Sequence, residues 1–223
     1  MIVLKKLPNG YSIKVLEETD IDLKLKTREL YESCFDTGKK DYIDYYYSEI
    51  IKRNLIFVCF DEDKIISMIH LNPYIYNICG NIDKVYYIIA VATKTEYRNK
   101  GIMNNLLECA MEYLKKNNVP FCFLMADNEK LYKTYERHGF YVLCNFTYDK
   151  FTKDEFDVHP IRSYEFDKMM ENEQKFLDIE SDEYKEFLKK QKICVRILDD
   201  KKMGCIKSIE EFRKKRCLFC QEA

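Results

Sequence analysis

Val85-Tyr-Tyr-Ile-Ile-Ala-Val-Ala-Thr-Lys-Thr-Glu-Tyr-Arg98-Asn-Lys-Gly101-Ile-Met103 decides how the rest of the chain is read. Lys84–Thr93 is apolar almost throughout, which predicts a central strand covered on both faces. A short basic turn carrying Gly101 follows. From there the period becomes helical, with Ile102, Leu106, Leu107, Ala110, Met111 and Leu114 on one face. Strand, glycine-bearing turn and helix start, in that order, build an anion site. The first amides of a helix have no partners within it, and its dipole favours negative charge there. Arg98 and Lys100 add full positive charge, and Gly101 lets the backbone come close to a ligand. The natural guest is a phosphate or pyrophosphate. Basic residues at a helix start oppose the dipole, so an unliganded turn would leave both cations unexplained.

Upstream of this block, Tyr11–Glu17 reads as an edge strand, and Leu23–Cys34 and Tyr42–Arg53 as helices. Leu55–Phe60 and Lys64–Leu71 form a hairpin over the acidic turn Asp61-Glu-Asp63, ended by Asn72-Pro73. Downstream, Pro120–Met125 is a short strand. Glu129–Arg137 is a helix closed by Gly139 as its C′ residue, and Phe140–Tyr148 is another strand. Composition shifts near residue 150. This predicts two parts: residues 1–150, and a small α/β extension over 151–223 that packs on them. In the extension Ser163–Phe176, Ser181–Lys190 and Ser208–Phe219 read as helices and Ile193–Leu198 as a strand.

The chain has 223 residues, 47% of them hydrophobic, and a net charge of −1. It can bury a sizeable core, and it has no global basic field to attract nucleic acid. No apolar run is long enough to span a bilayer, and the first ten residues carry no signal-peptide pattern. The expectation is a cytoplasmic protein that engages neither nucleic acid nor membrane. Ten cysteines without a secretion signal read as reduced thiols. Cys217-x-x-Cys220, with Cys194 and Cys205, has only one tight pair, so no metal site is assigned. A zinc-stabilised interaction module in the tail is the weakest of three readings. The run Arg213-Lys-Lys-Arg216 reads as a solvated helix face.

Two ordered blocks carry a family resemblance. Arg98-Asn-Lys-Gly101-Ile102 fits the Arg-x-x-Gly-x-Gly/Ala pyrophosphate loop of the GCN5-related N-acetyltransferases. Asn128-Glu-Lys-Leu-Tyr-Lys-Thr-Tyr135-Glu-Arg-His-Gly139-Phe140 resembles that family's Asn…Leu-Tyr-Glu-Lys-x-Gly-Phe segment. One glycine loop alone would be a weak signal. Both together, within an alternating α/β pattern over residues 10–148, imply that fold: a mixed, mostly antiparallel, twisted sheet flanked by helices. Met103 stands where the family has glycine or alanine. Tyr97-Arg-x-x-Gly-x-Met103 and Phe123-Leu-Met-Ala126 are similar to the enhanced-intracellular-survival branch. This chain is too short for the later domains of that branch.

The resemblance implies acetyl-CoA as donor and a primary amine as acceptor, with no metal. The amides of Asn99, Lys100, Gly101, Ile102 and Met103, beside Arg98, would cradle the pyrophosphate. Ala90, Val91 and Ala92 would offer main-chain groups to the pantetheine arm, and one of their N–H groups could stabilise an oxyanion. Asn128 should bond the pantetheine or cap its helix. Tyr135 has the register of the family's general acid, and a free phenol, with a pKa of about 10, is protonated at neutral pH. Tyr132 is its rival, and as a core residue Tyr135 would only anchor its helix. For the base, His70, Glu96, or water relayed through Tyr86 or Tyr87 stay open, with His70 read first as structural. His138 reads as a charge or packing residue at its helix end. The tyrosines 45–47 line an acceptor pocket or divide between core and surface. The acceptor, a small molecule or a peptide, and a homo-oligomeric state are left open. A second function class also stands: a catalytically weak acyl-CoA-binding or scaffold protein of the same fold.

Overall fold

The computed structural model describes residues 2–35, 40–78, 81–145 and 192–199. The chain divides into two compact units. The first holds Met1–Ile75, Ile82–Leu124 and Arg196–Met203; the second holds Tyr76–Asn81, Met125–Val195 and Gly204–Ala223. The fold is α/β, with a mixed, mostly antiparallel sheet flanked by helices.

The strands β1 (Ile2–Lys6), β2 (Ser12–Leu16), β3 (Leu55–Asp61), β4 (Lys64–Ile78), β5 (Asn81–Thr93) and β6 (Phe121–Met125) are adjacent in that order and lie in the first unit, save the residues of β4 after Ile75, Asn81 of β5 and Met125 of β6, which fall in the second. β1 to β4 pair antiparallel, and β6 runs parallel to β5, with Tyr86 opposite Cys122 and Tyr87 opposite Phe123. Helices α1 (Ile21–Cys34) and α2 (Lys40–Ser48) and a 3-10 turn (Ile50–Arg53) lie between β2 and β3. Helix α3 (Ile102–Lys116) follows β5. One sheet face packs Leu16, Ile56, Val58, Phe60, Met68, Ala90 and Ala92 against Leu30, Tyr31, Ile43, Tyr46 and Tyr47 of α1 and α2. α3 packs on β3, where the Tyr113 ring meets Phe57 edge-on. The second unit holds α4 (Glu129–Glu136) and the antiparallel pair β7 (Tyr141–Asn145) and β8 (Lys192–Ile197), although β8 ends in residues of the first.

Four sequence readings are corrected. β2 is not an edge, because β1 pairs outside it. β4 does not end at Asn72-Pro73 but continues to Ile78. The β3 ladder stops at Leu55 opposite Leu71, so the missing N–H of Pro73 faces no β3 partner and costs nothing on that side. The helix expected over Tyr42–Arg53 is two pieces, α2 and the 3-10 turn. The buried Lys24 ammonium donates to the carbonyls of Ile51, Lys52 and Asn54 at 3.2, 3.1 and 2.6 Å, and so ties the end of that turn to α1. The strand expected over Ile193–Leu198 is β8, one residue earlier. The helices expected within 163–190 and 208–219, and Cys205, Cys217 and Cys220, lie outside the described residues.

Candidate functional site

On β5 the side-chain alternation breaks at Ala90. Ile89, Ala90 and Ala92 all pack on the same apolar cluster, and Ala90 has φ 52°. An alanine in left-handed backbone costs about 1–2 kcal/mol, so neighbouring contacts hold this bulge in place. They are visible: the Ser67 hydroxyl donates to Ala92 O at 2.8 Å and shares a 2.8 Å hydrogen bond with Thr93 Oγ1, and Lys94 N–H donates to Ile66 O at 2.9 Å. On the other side, β6 pairs with β5 at Tyr86 and Tyr87, ahead of the break at Ala90. Ala90, Val91 and Ala92 follow those paired residues on β5 and lead directly into the turn.

The turn after β5 is braced from several directions. Tyr97 donates to Asp61 Oδ2 at 2.7 Å and packs edge-on against Tyr11. Lys100 Nζ stands 4.9 Å over the Tyr97 ring. Arg98 Nε donates to Thr93 O at 3.0 Å, which folds the guanidinium back over the turn. Asn99 and Gly101 have φ 61° and 70°. Only asparagine and glycine enter this region at low cost, which is why they occupy these places. Left-handed residues in such a turn bring successive N–H groups to one side, forming an anion-binding concavity. Gly101 is the N-cap residue of α3 and brings no side chain to cover the helix start. Ile102 is buried and fixes the first turn, and Met103 is half-buried. Thus Arg98, Asn99, Lys100, Gly101, Ile102 and Met103 form one continuous turn at the end of the strand carrying Ala90, Val91 and Ala92. An uncapped helix start, two left-handed residues and two exposed cations suit a diphosphate.

In the second unit Asn128 caps α4, its Oδ1 accepting from Leu131 N–H at 3.1 Å. Gly139, at φ 77°, closes the helix, with its N–H on Glu136 O and that of Phe140 on Tyr135 O. Tyr132 Oη is occupied: Lys192 N–H donates to it at 2.9 Å and it donates to Lys192 O at 3.1 Å. Tyr135 is buried with its ring edge-on to Phe140. Burial first, then the charge of Asp127, pushes its phenol up to about 12, so it stays protonated.

The other candidates separate clearly. His70 is fully buried, with its ring stacked on Tyr46 at 5.9 Å. Its Nδ1 lies 2.9 Å from Tyr46 Oη, which accepts from Asn54 Nδ2 at 2.9 Å and donates to Asn72 Oδ1 at 3.3 Å. Burial, aided by the Lys24 charge, drives the imidazole down to about 3. So weak a base would not take a proton from an ammonium. Tyr46 and Tyr47 are core, and Tyr45 is half-buried. Glu96 is exposed in the 3-10 turn Thr95–Tyr97, Tyr86 is buried, and Tyr87 and His138 are half-buried. Sequence reading missed Lys24, Asn54 and Thr27, the last hydrogen-bonding Tyr47 Oη at 3.2 Å. Cys34, Cys59, Cys109, Cys122 and Cys194 are free thiols, and no acidic, histidine or cysteine cluster able to hold a metal occurs among the described residues. No helix there is long and apolar enough to cross a membrane.

Residues 12–143 match the family described as "Acetyltransferase (GNAT) domain". A putative N-acetyltransferase from Lactobacillus plantarum shares 14% identity at a TM-score of 0.50, covering 83% of this chain and 98% of its own. A probable N-acyltransferase from Enterococcus faecalis V583 shares 15% at 0.49, covering 60% of this chain and 33% of its own. The chain thus spans about a third of that protein. The ribosomal-protein-S18-alanine N-acetyltransferase from Escherichia coli shares 15% at 0.48, covering 85% and 94%. No curated protein matches the chain.

Proposed function

The chain belongs to the GNAT acetyltransferase family, and from that premise we propose that it transfers acetyl from acetyl-CoA to a primary amine by direct attack in a ternary complex, with Tyr135 as general acid. When bound, acetyl-CoA would supply an activated thioester, with the coenzyme A thiol as leaving group. The observation that carries the reading is the turn Arg98–Gly101: two left-handed residues and an uncapped helix start directly follow β5. The amides of Asn99 to Met103 bind the diphosphate, with Arg98 and Lys100 adding charge. Ala90, Val91 and Ala92 hold the amide-rich arm as a strand neighbour would, and an N–H at the bulge orients the thioester carbonyl.

Tyr135 would supply the proton that the leaving thiolate needs, and the proton released by the attacking nitrogen would restore the phenol through water. Its protonated state suits that task, whereas the Tyr132 hydroxyl is bound at Lys192. The ammonium proton of the acceptor goes to Glu96 or to water, because the buried His70 imidazole is too weak a base to take it. Tyr97-Arg-x-x-Gly-x-Met103 supports placing the chain near the enhanced-intracellular-survival branch.

The test is thiol release from acetyl-CoA against a panel of small amines and peptides, read alongside coenzyme A affinity by calorimetry. Amine-dependent release with mass-detected acetylation is the expected result. Binding without release from any amine would instead favour a catalytically weak acyl-CoA-binding protein.

A further inference from the structure

β1 lies outside residues 12–143, the stretch that matches the family, yet it places a charge on the α3 terminus. Lys5 Nζ donates to Asn105 Oδ1 at 2.8 Å across a separation of 100 residues. Asn105 Nδ2 in turn donates to Gly101 O at 3.0 Å. Asn105 therefore holds the ammonium two hydrogen bonds from the left-handed glycine of the anion turn. Arg98 and Lys100 belong to the turn itself, resting on Thr93 O and the Tyr97 ring. Lys5 is a third cation, presented from a different strand and steadied by an asparagine. Both residues lie at the surface, and one hydrogen bond uses one of the three ammonium donors.

Asn105 sits about one helical turn, roughly 5 Å, along α3 from Gly101. Lys5 therefore stands beside the second turn of α3 and not in the turn of residues 98–101. The next anion on coenzyme A is the ribose 3′-phosphate, one sugar away from the diphosphate. We infer that Lys5, positioned by Asn105, binds the 3′-phosphate and makes the site discriminate coenzyme A from its 3′-dephospho form. This assignment rests on the reading of the turn as the diphosphate site. A phosphate oxygen facing the ammonium takes a charge-assisted hydrogen bond without displacing the Asn105 contact.

The experiment is calorimetric titration of wild type, Lys5→Ala and Lys5→Arg with coenzyme A and with 3′-dephospho-coenzyme A. Wild type should bind coenzyme A about tenfold more tightly than the dephospho form, the size of one exposed charge-assisted contact. Lys5→Ala should erase that preference while leaving dephospho affinity within about twofold, and Lys5→Arg should keep most of it. Equal loss for both ligands, or an unchanged preference in Lys5→Ala, would overturn the Lys5 assignment and leave the diphosphate site standing. Failure of wild type to bind either ligand would remove both. A matching thermal midpoint for Lys5→Ala ensures that a lost preference is not a lost fold.

Discussion

The Arg98–Gly101 turn and the α1–α2 interior solve opposite problems. The turn gathers positive charge at the surface and leaves backbone groups open. The interior buries polar side chains and satisfies them with one another: Lys24 on three carbonyls, and Tyr46 on His70, Asn54 and Asn72. Among the described residues only Asn54 Oδ1 and His70 Nε2 are buried without a partner. Charge placed in water is available to a ligand, and charge placed in the core is committed to the fold. Variants in the two regions should therefore fail in different assays.

The largest expected effect lies in the interior and is driven by pH. His70 is held near 3 in the folded state, against an ordinary value of 6.5. Below 6.5 the unfolded chain takes up a proton that the folded chain refuses, so stability falls as pH drops from about 6.5 toward 3. The groups facing the imidazole are Lys24 and the rings of Tyr31, Tyr46 and Tyr47, none of them a carboxylate that would offset this. Its contribution is a slope of up to about 1.4 kcal/mol per pH unit, or about 5 kcal/mol over the range. Urea titrations at several pH values should show it, and His70→Gln should flatten the slope by up to one proton. A wild-type slope that His70→Gln leaves unaltered would show that the imidazole is not held neutral.

Next in size is Lys24→Ala, which strands three carbonyls. Urea denaturation should register a loss of about 3 kcal/mol, with coenzyme A affinity of the folded fraction unchanged. A loss of affinity without a loss of stability would break the contrast between the regions. In the turn the pattern should reverse. Gly101→Val forces a β-branched residue to φ 70° at the anion cradle, and should weaken coenzyme A binding by about a hundredfold or more while leaving most of the stability intact.

Tyr135→Phe should lower kcat by about a hundredfold with coenzyme A affinity within about twofold of wild type, read by steady-state kinetics and calorimetry. Unchanged kcat would return Tyr135 to its packing role against Phe140. Asn128→Ala removes the α4 cap and should cost about 1 kcal/mol of stability.

The two regions also differ in how far the sequence exposed them. The turn was legible because left-handed backbone restricts residue choice: Asn99 and Gly101 mark it, and the apolar run before them marks the strand. Gly139 was legible for the same reason. The interior was hidden. A lysine in a helix reads as solvent face, and nothing local to Lys24 shows that three carbonyls some thirty residues away will receive it. The His70 network draws on α2, the segment before β3, and β4, so no single window contains it. β1, three apolar residues followed by two lysines, has no alternation to announce a strand, and its pairing with β2 is a tertiary fact. The bulge at Ala90 was invisible because alanine carries no signature of left-handed backbone.

The most direct measurement is a coenzyme A titration followed by amide nitrogen and proton chemical shifts on the uniformly labelled protein. The account predicts that the largest changes fall on Asn99–Met103 and the next on Ala90–Ala92, with the Lys24 and His70 surroundings nearly still. Saturable binding that moves other amides and leaves Asn99–Met103 unshifted would contradict it.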